Sequence, residues 1–271
     1  MSQPPCTRTV TLIGAPYDAA SSFLRGAAEA PAKIRRALFS PAGNLWTELD
    51  ADLGAPGVFV DAGDLAVPEE SAAARAAITA GVRALLDRGG RPLVLGGDHA
   101  VTLPVIEAVH AVHGPVAVLH VDAHPDLYDE FEGDRFSHAC PFARIMEAGL
   151  ARRLVQVGIR AATGHQREQA RRLGVETIDM AAWVAGARPT LDAPLYVSVD
   201  LDGLDPAFAP GVAHREPGGL SVRDLIALLH ALPAPVVAAD VVEYNPRRDV
   251  DGVTAAVAAK LVKELAGVMA R

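Results

Sequence analysis

The sequence predicts an α/β fold, a parallel sheet covered on both faces by helices, and three observations point there. Short apolar, β-rich runs alternate with Ala-, Leu- and Arg-rich stretches whose apolar residues recur at three- and four-residue spacing, the mark of successive βα units. Half of the 271 residues are hydrophobic and 21% are charged, which supplies enough apolar surface for strands buried on both sides. No repeat, linker or low-complexity tract interrupts the pattern, so residues 1–271 are expected to form one domain, with 1–8 as a flexible tail.

In chain order, the apolar runs place strands at 10–13, 58–60, 93–95, 116–121, 154–157, 175–178, 195–199 and 236–241. Helical periodicity places helices between and after them, at 31–39, 71–87, 100–113, 164–173, 221–232 and 253–269. Ser221 followed by Asp224 reads as an N-cap with an acidic third residue. The stretches 40–56, 126–136 and 202–219 carry no clear period and are expected to be the site-forming loops.

Charge and cysteine content exclude several classes of function. A net charge of -8 without any Lys/Arg cluster argues against a nucleic-acid partner. Two cysteines, Cys6 and Cys140, give no disulfide framework. Residues 1–9 lack the basic and apolar regions of a signal peptide, and no apolar run reaches membrane-spanning length. A cytoplasmic enzyme is expected, with no membrane partner.

Three segments concentrate carboxylates and imidazoles: Gly96-Gly97-Asp98-His99, Asp122-Ala123-His124-Pro125-Asp126 and Ser198-Val199-Asp200-Leu201-Asp202. Each follows an expected strand, and in an open parallel sheet the loops leaving the carboxyl ends of several strands converge. Asp122, His124 and Asp126 alternate along the chain, as do Asp200 and Asp202. An extended backbone would turn each set to one side and send Ala123 and Leu201 to the core. Alone, Gly-Gly-Asp-His reads as a turn whose Asp caps the next helix. The triplet at 122–126 does not, because three ionisable groups beside a buried strand need something to neutralise them. Asp200 to Asp205 is no calcium loop: Leu204 stands where an oxygen ligand belongs, and no suitable Glu follows. Two imidazoles and four carboxylates are too many for one zinc ion and match a pair of hard divalent cations sharing bridging oxygens.

Taken together, Gly-Gly-Asp-His, Asp-Ala-His-x-Asp and the run Ser198 to Gly211 resemble the signatures of the ureohydrolase family, the arginases and agmatinases. Ser137-His138-Ala139 and Asp240-Val241-Val242-Glu243-Tyr244-Asn245-Pro246 are similar in wording to plant-type arginases and their bacterial relatives. The likeness extends from the first strand to the last helix. It implies a three-layer α/β/α sandwich around an eight-stranded parallel sheet, in accord with the eight strands expected above. It also implies two Mn2+ ions per subunit, one held by His99, Asp122, Asp126 and Asp200, the other by Asp122, His124, Asp200 and Asp202. Four carboxylates balance two divalent ions, leaving a neutral cage in which a shared water ionises near neutral pH. The resemblance assigns Glu243 to the guanidinium charge and His138 to the proton for the departing amine, and it puts Asp126 with them in the catalytic set. Without it, Glu243 reads as a solvated acid at a strand end. Tyr128 and Asp129 join Glu243 and His138 as expected substrate contacts, while Asp98, His120 and Asp205 read as orienting groups. A homo-oligomer, trimer or hexamer, is implied as well.

The expected reaction is therefore hydrolysis of the guanidino group of agmatine or L-arginine to urea plus putrescine or ornithine. The acidic Asp129, Glu130 and Glu132 would repel a carboxylate and welcome an ammonium, which tilts the expectation slightly toward agmatine. Another guanidino acid, 4-guanidinobutyrate, is the rival substrate. A single-zinc deacetylase-like hydrolase, in which His99 and Asp126 are spare, and an inactive binding subunit are the readings from other classes. No ligand position is lost here, as it usually is in an inactive relative.

Overall fold

The apolar runs can satisfy their main-chain polar groups and bury their side chains together only by pairing with one another. In the computed structural model they do so in one eight-stranded sheet. The structure describes residues 9–233 and 235–271, so the expected tail at 1–8, with Cys6, lies outside the described residues. The strands are β1 (Val10–Gly14), β2 (Phe59–Asp64), β3 (Arg91–Leu95), β4 (Val116–Val121), β5 (Ala151–Ile159), β6 (Glu176–Asp179), β7 (Leu195–Asp200) and β8 (Val236–Val242). The helices are α1 (Ala30–Leu38), α2 (Ser71–Leu86), α3 (Thr102–His113), α4 (Pro141–Glu147), α5 (Gly164–Leu173), α6 (Met180–Val184), α7 (Val222–His230) and α8 (Val253–Met269). Sheet order is β2-β1-β3-β8-β7-β4-β5-β6, with every neighbouring pair parallel.

Alternation along each strand sorts side chains into two cores. Leu12, Leu119 and Val197 face the layer of α1, α7 and α8, where they meet Ile34, Leu225 and Leu261. Their chain neighbours Ile13, Val118 and Tyr196 face the opposite layer, which contains Ile78 of α2, Ile106 of α3 and Phe142 of α4. The result is the expected three-layer α/β/α sandwich.

All eight expected strands are present. β2 runs further than 58–60 because it is an edge strand whose side chains mostly face solvent, so hydropathy does not mark its polar end. Two helices, α4 and α6, were not anticipated. α4 has only seven residues with Pro141 at its start, and α6 has five, capped by the Asp179 carboxylate on the Ala182 N–H at 2.8 Å. The Ser221 cap forms as expected, each partner accepting the other's N–H at 3.0 Å. Among the described residues no helix is long and apolar enough to cross a membrane.

Topology positions the site. From β3 the chain crosses to β4, and β7 and β8 later fill the space between them. The carboxyl ends of β3, β8, β7 and β4 thus lie side by side at the sheet centre, where the direction of winding reverses and a crevice opens. Gly97 makes the first of these ends fit: a β-carbon there would overlap the Tyr17 carbonyl, which accepts the Asp98 N–H at 2.9 Å. Gly97→Ala is expected to lower the unfolding free energy by about 1–3 kcal/mol, as overpacking does. Gly164→Ala, at the start of α5 with open space around it, should change it by less than about 1 kcal/mol and in the stabilising direction. Urea denaturation measures both.

Candidate functional site

Three strand ends deliver the six candidate ligands to one volume, each through a turn capped by its own aspartate. After β3, Asp98 accepts the Ala100 N–H at 3.1 Å and starts a 3-10 turn, His99–Val101. After β4, Asp122 Oδ1 accepts the His124 N–H at 2.6 Å. At the end of β7, Asp200 Oδ1 accepts the Asp202 N–H at 2.8 Å and opens the turn Leu201–Gly203. The turn read from Gly96-Gly97-Asp98-His99 is present, whereas 122–126 and 200–202, expected to stay extended, curl because a short carboxylate reaches its own chain two residues on. Ala123 and Leu201 are buried, as expected.

The side chains form two half-cages that share Asp122. His99 Nδ1 stands 3.1 Å from Asp122 Oδ2, 3.0 Å from Asp126 Oδ2 and 3.2 Å from Asp200 Oδ2. His124 Nδ1 stands 3.4 Å from Asp122 Oδ1 and 3.1 Å from Asp202 Oδ2. Asp126 holds a left-handed backbone conformation, φ 50°, which costs energy for a residue other than glycine and turns its carboxylate toward His99.

Hydrogen bonds behind the cage fix the ring of His99. Ser198 Oγ donates to Asp240 Oδ1 at 2.7 Å, so it accepts from His99 Nε2 at 2.9 Å. The other oxygen of Asp240 accepts from Thr102 at 2.7 Å and from Tyr196. His99 Nδ1 is thereby left facing three carboxylates, and it finds no partner in hydrogen-bonding geometry. A buried nitrogen without a partner, ringed by carboxylate oxygens, is what a cation site leaves, so these residues fit metal ions. His120 is set differently. Gln156 Nε2 donates to the Pro125 carbonyl at 2.6 Å and to His120 Nδ1 at 3.0 Å, so His120 Nε2 donates to Asp122 Oδ2 at 2.7 Å. The His120 ring also stacks on Phe142, so its donor nitrogen is held facing Asp122.

Charge makes the same point. Burial and the neighbouring carboxylates push Asp200 well above the usual carboxylate range, and the same causes raise Asp202 to about 6 against the pull of His124. Burial opposes an imidazolium at His99, but the facing carboxylates overcome it and raise its pKa. Without cations, then, protons must hold this cluster together.

A cavity of about 180 Å3 opens beside the cage, lined among others by Asp126, Tyr128, His138, His214 and Glu243. Glu243 lies one residue beyond β8 in a left-handed conformation, φ 62°, and its Oε1 accepts the His99 N–H at 2.9 Å and contacts His138 Nδ1 at 2.8 Å. It is buried, not the solvated acid its sequence alone allows. His138 Nε2 lies 2.8 Å from Ser22 Oγ, so the ring is held at both ends. Tyr128 lies between Phe131 and His165, with ring centroids at 5.0 and 5.6 Å. Asp129 is a correction to the expected substrate contacts. Its carboxylate pairs with Arg135 at 2.7 Å and Arg144 at 2.9 Å, and it is not among the described residues lining the cavity. Sequence reasoning missed Ser22, which follows no motif, and His214, which falls in a loop expected to form the site but carries no spacing of its own.

A model of the arginase family matches residues 8–267. Arginase 1, mitochondrial, from Arabidopsis thaliana is 50% identical over 95% of this chain and 80% of its own length. The chain belongs to the arginase family. Among solved structures, arginase from Medicago truncatula superposes with a TM-score of 0.94 at 46% identity, over 98% of this chain and 89% of that one. A hypothetical agmatinase from Burkholderia thailandensis gives 0.84 at 30% identity, over 97% and 86%. As a member of the arginase family the chain is a ureohydrolase, a hydrolase of carbon–nitrogen bonds. The expected cytoplasmic location is corrected: the plant arginases this chain is similar to carry mitochondrial or chloroplastic names, so the cytoplasmic expectation does not stand. Scarce cysteine argues against an oxidising compartment and does not choose among the others.

The His138–Glu243 pair gives this site a pH signature in the metal-free protein. Burial disfavours the imidazolium, but Glu243, Asp98 and Asp126 raise His138 from 6.5 to about 9. Because the folded pKa exceeds the unfolded one, the pair's stabilisation is complete below about pH 6.5 and disappears as pH rises through about 9. NMR titration of the His138 ring should show a midpoint near 9 that falls toward the ordinary value in Glu243→Gln.

Proposed function

We propose that this chain hydrolyses L-arginine to urea and ornithine, using two manganese ions held by His99, Asp122, Asp126 and Asp200 on one side and by Asp122, His124, Asp200 and Asp202 on the other. The observation that carries the reading is the carboxylate of Asp122, whose two oxygens face His99 and His124 separately, so that this one side chain would serve both ions. Hard divalent ions suit this oxygen-rich set; bound here they would neutralise the cage and would supply the Lewis acidity that ionises a water near neutral pH.

The remaining work falls to side chains. Glu243 presents a buried carboxylate at the cavity, with Oε1 engaged by His99 and His138, so Oε2 is the oxygen left for the planar guanidinium. Asp126 faces both cage and cavity and accepts the proton of the attacking water. His138, cationic at neutral pH when its carboxylate neighbours are charged, delivers a proton to the departing amine. Tyr128 packs along the aliphatic arm of the substrate.

The slight expectation of agmatine rested on Asp129, Glu130 and Glu132, and it weakens because Asp129 is already neutralised by two arginines while Glu130 and Glu132 are exposed. The names of the plant relatives favour arginine. Agmatine stays as the second reading because no lysine or arginine among the described lining residues meets an α-carboxylate. The chain is also proposed to act as a homo-oligomer, as the family likeness implies.

A urea-release panel with manganese should show higher kcat/KM for arginine than for agmatine or 4-guanidinobutyrate; the reverse order would move the assignment to the decarboxylated substrate. Chelation should abolish release, and added Mn2+ should restore it. Glu243→Gln is expected to cost about 2–5 kcal/mol of transition-state stabilisation, roughly 30- to 5,000-fold in kcat/KM, as for loss of one partner of a buried charge pair.

A further inference from the structure

We infer that Arg160 is a positioning residue that selectively builds the half of the cage formed by His124 and Asp202. The inference rests on the two-ion reading above and assigns Arg160 no contact with substrate.

Arg160 lies one residue beyond β5 and forms no ion pair among the described residues; its guanidinium is spent wholly on main-chain carbonyls. Nη2 donates to the Asp202 carbonyl at 2.7 Å and Leu204 at 3.2 Å, Nη1 to Gly203 at 3.2 Å and Gly158 at 3.1 Å, and Nη2 and Nε to Glu216 at 2.6 and 3.0 Å. Its own N–H donates to the Ala123 carbonyl at 2.9 Å, between Asp122 and His124. The N–H of Ala123 donates to Asp202 Oδ1 at 3.2 Å. These bonds close a ring from Arg160 to Ala123, to the Asp202 side chain, to the Asp202 carbonyl and back to the guanidinium. The ring sets the distance between His124 and Asp202, 3.1 Å from Nδ1 to Oδ2. Gly219 leaves the space the guanidinium needs, since a β-carbon there would come within 2.6 Å of Nη2.

The other half-cage has separate supports. His99 is held through Ser198 and Asp240 and by Glu243, and none of these bonds to Arg160. Five donors in a rigid fork serve this many carbonyls; a lysine ammonium, with three donors and no plane, cannot. Loss of the fork should therefore loosen one ion and leave the other.

Calorimetric titration of the metal-stripped full chain with Mn2+, with metal content checked by elemental analysis, tests this. Wild type is expected to take two ions. Arg160→Lys and Arg160→Gln should take the first with unchanged affinity and the second about 10- to 100-fold more weakly, the usual scale for an outer support of a metal ligand. Arg153→Gln, which removes the exposed ion pair with Glu176 at 2.6 Å from the same strand β5 and makes no contact with the cage, should leave both ions unchanged. Equal weakening of both ions in the Arg160 variants, unchanged binding, or failure of both variants to fold would overturn the inference. A wild-type chain that takes fewer than two ions would instead overturn the two-ion reading.

Discussion

Mutual repulsion among four buried carboxylates is the constraint around which this molecule is organised. Asp122, Asp126, Asp200 and Asp202 are all nearly sealed from solvent, and burial together with the neighbouring carboxylates pushes two of them, Asp200 and Asp202, up toward protonation. Such a cluster is tolerable only if positive charge enters it, and the two imidazoles supply too little. The fold holds the repelling groups in place with bonds that do not depend on the cation. Ser198 and Asp240 fix His99, Gln156 and His120 fix Asp122, and Arg160 clamps the segment bearing Asp202. Stability is given up locally so that the site is organised before its ions arrive.

That arrangement also explains why the reacting groups outside the cage are coupled to it. One oxygen of Glu243 binds both the main chain of His99 and the ring of His138, so the carboxylate proposed to pair with a guanidinium and the imidazole proposed to hand over a proton share a single anchor. Of the carboxylate residues with a left-handed backbone among the described residues, Asp126 and Glu243 are the ones that line the cavity, where the strain aims the carboxylate at the site.

Most of the architecture was legible because its signals are local. Every strand announced itself as a short apolar run, and the three acidic motifs fell where strands end. What stayed illegible depends on tertiary context. α4 and α6 are too short to show a period, and β2 exposes its polar end at a sheet edge. The curl at Asp122 and Asp200 comes from side-chain caps that compete with extended backbone at the moment a strand loses its neighbours. Asp129 reads from the sequence as a free charge, whereas Arg135 of the same loop and Arg144 of α4 fold back onto it. His214 enters the cavity only because its loop folds back beside His124 and His138, with ring centroids 5.7 and 5.6 Å away. Compartment was the least legible property, since neither charge nor cysteine content encodes it.

The central claim is that the cage is built for two ions sharing Asp122. Diffraction from crystals grown with Mn2+, recorded on either side of the manganese absorption edge, tests it most directly. Two anomalous peaks per chain are expected, one beside His99 Nδ1 and one beside His124 Nδ1, with the Asp122 carboxylate between them. A single peak, or none inside the cage at saturating metal, would contradict it.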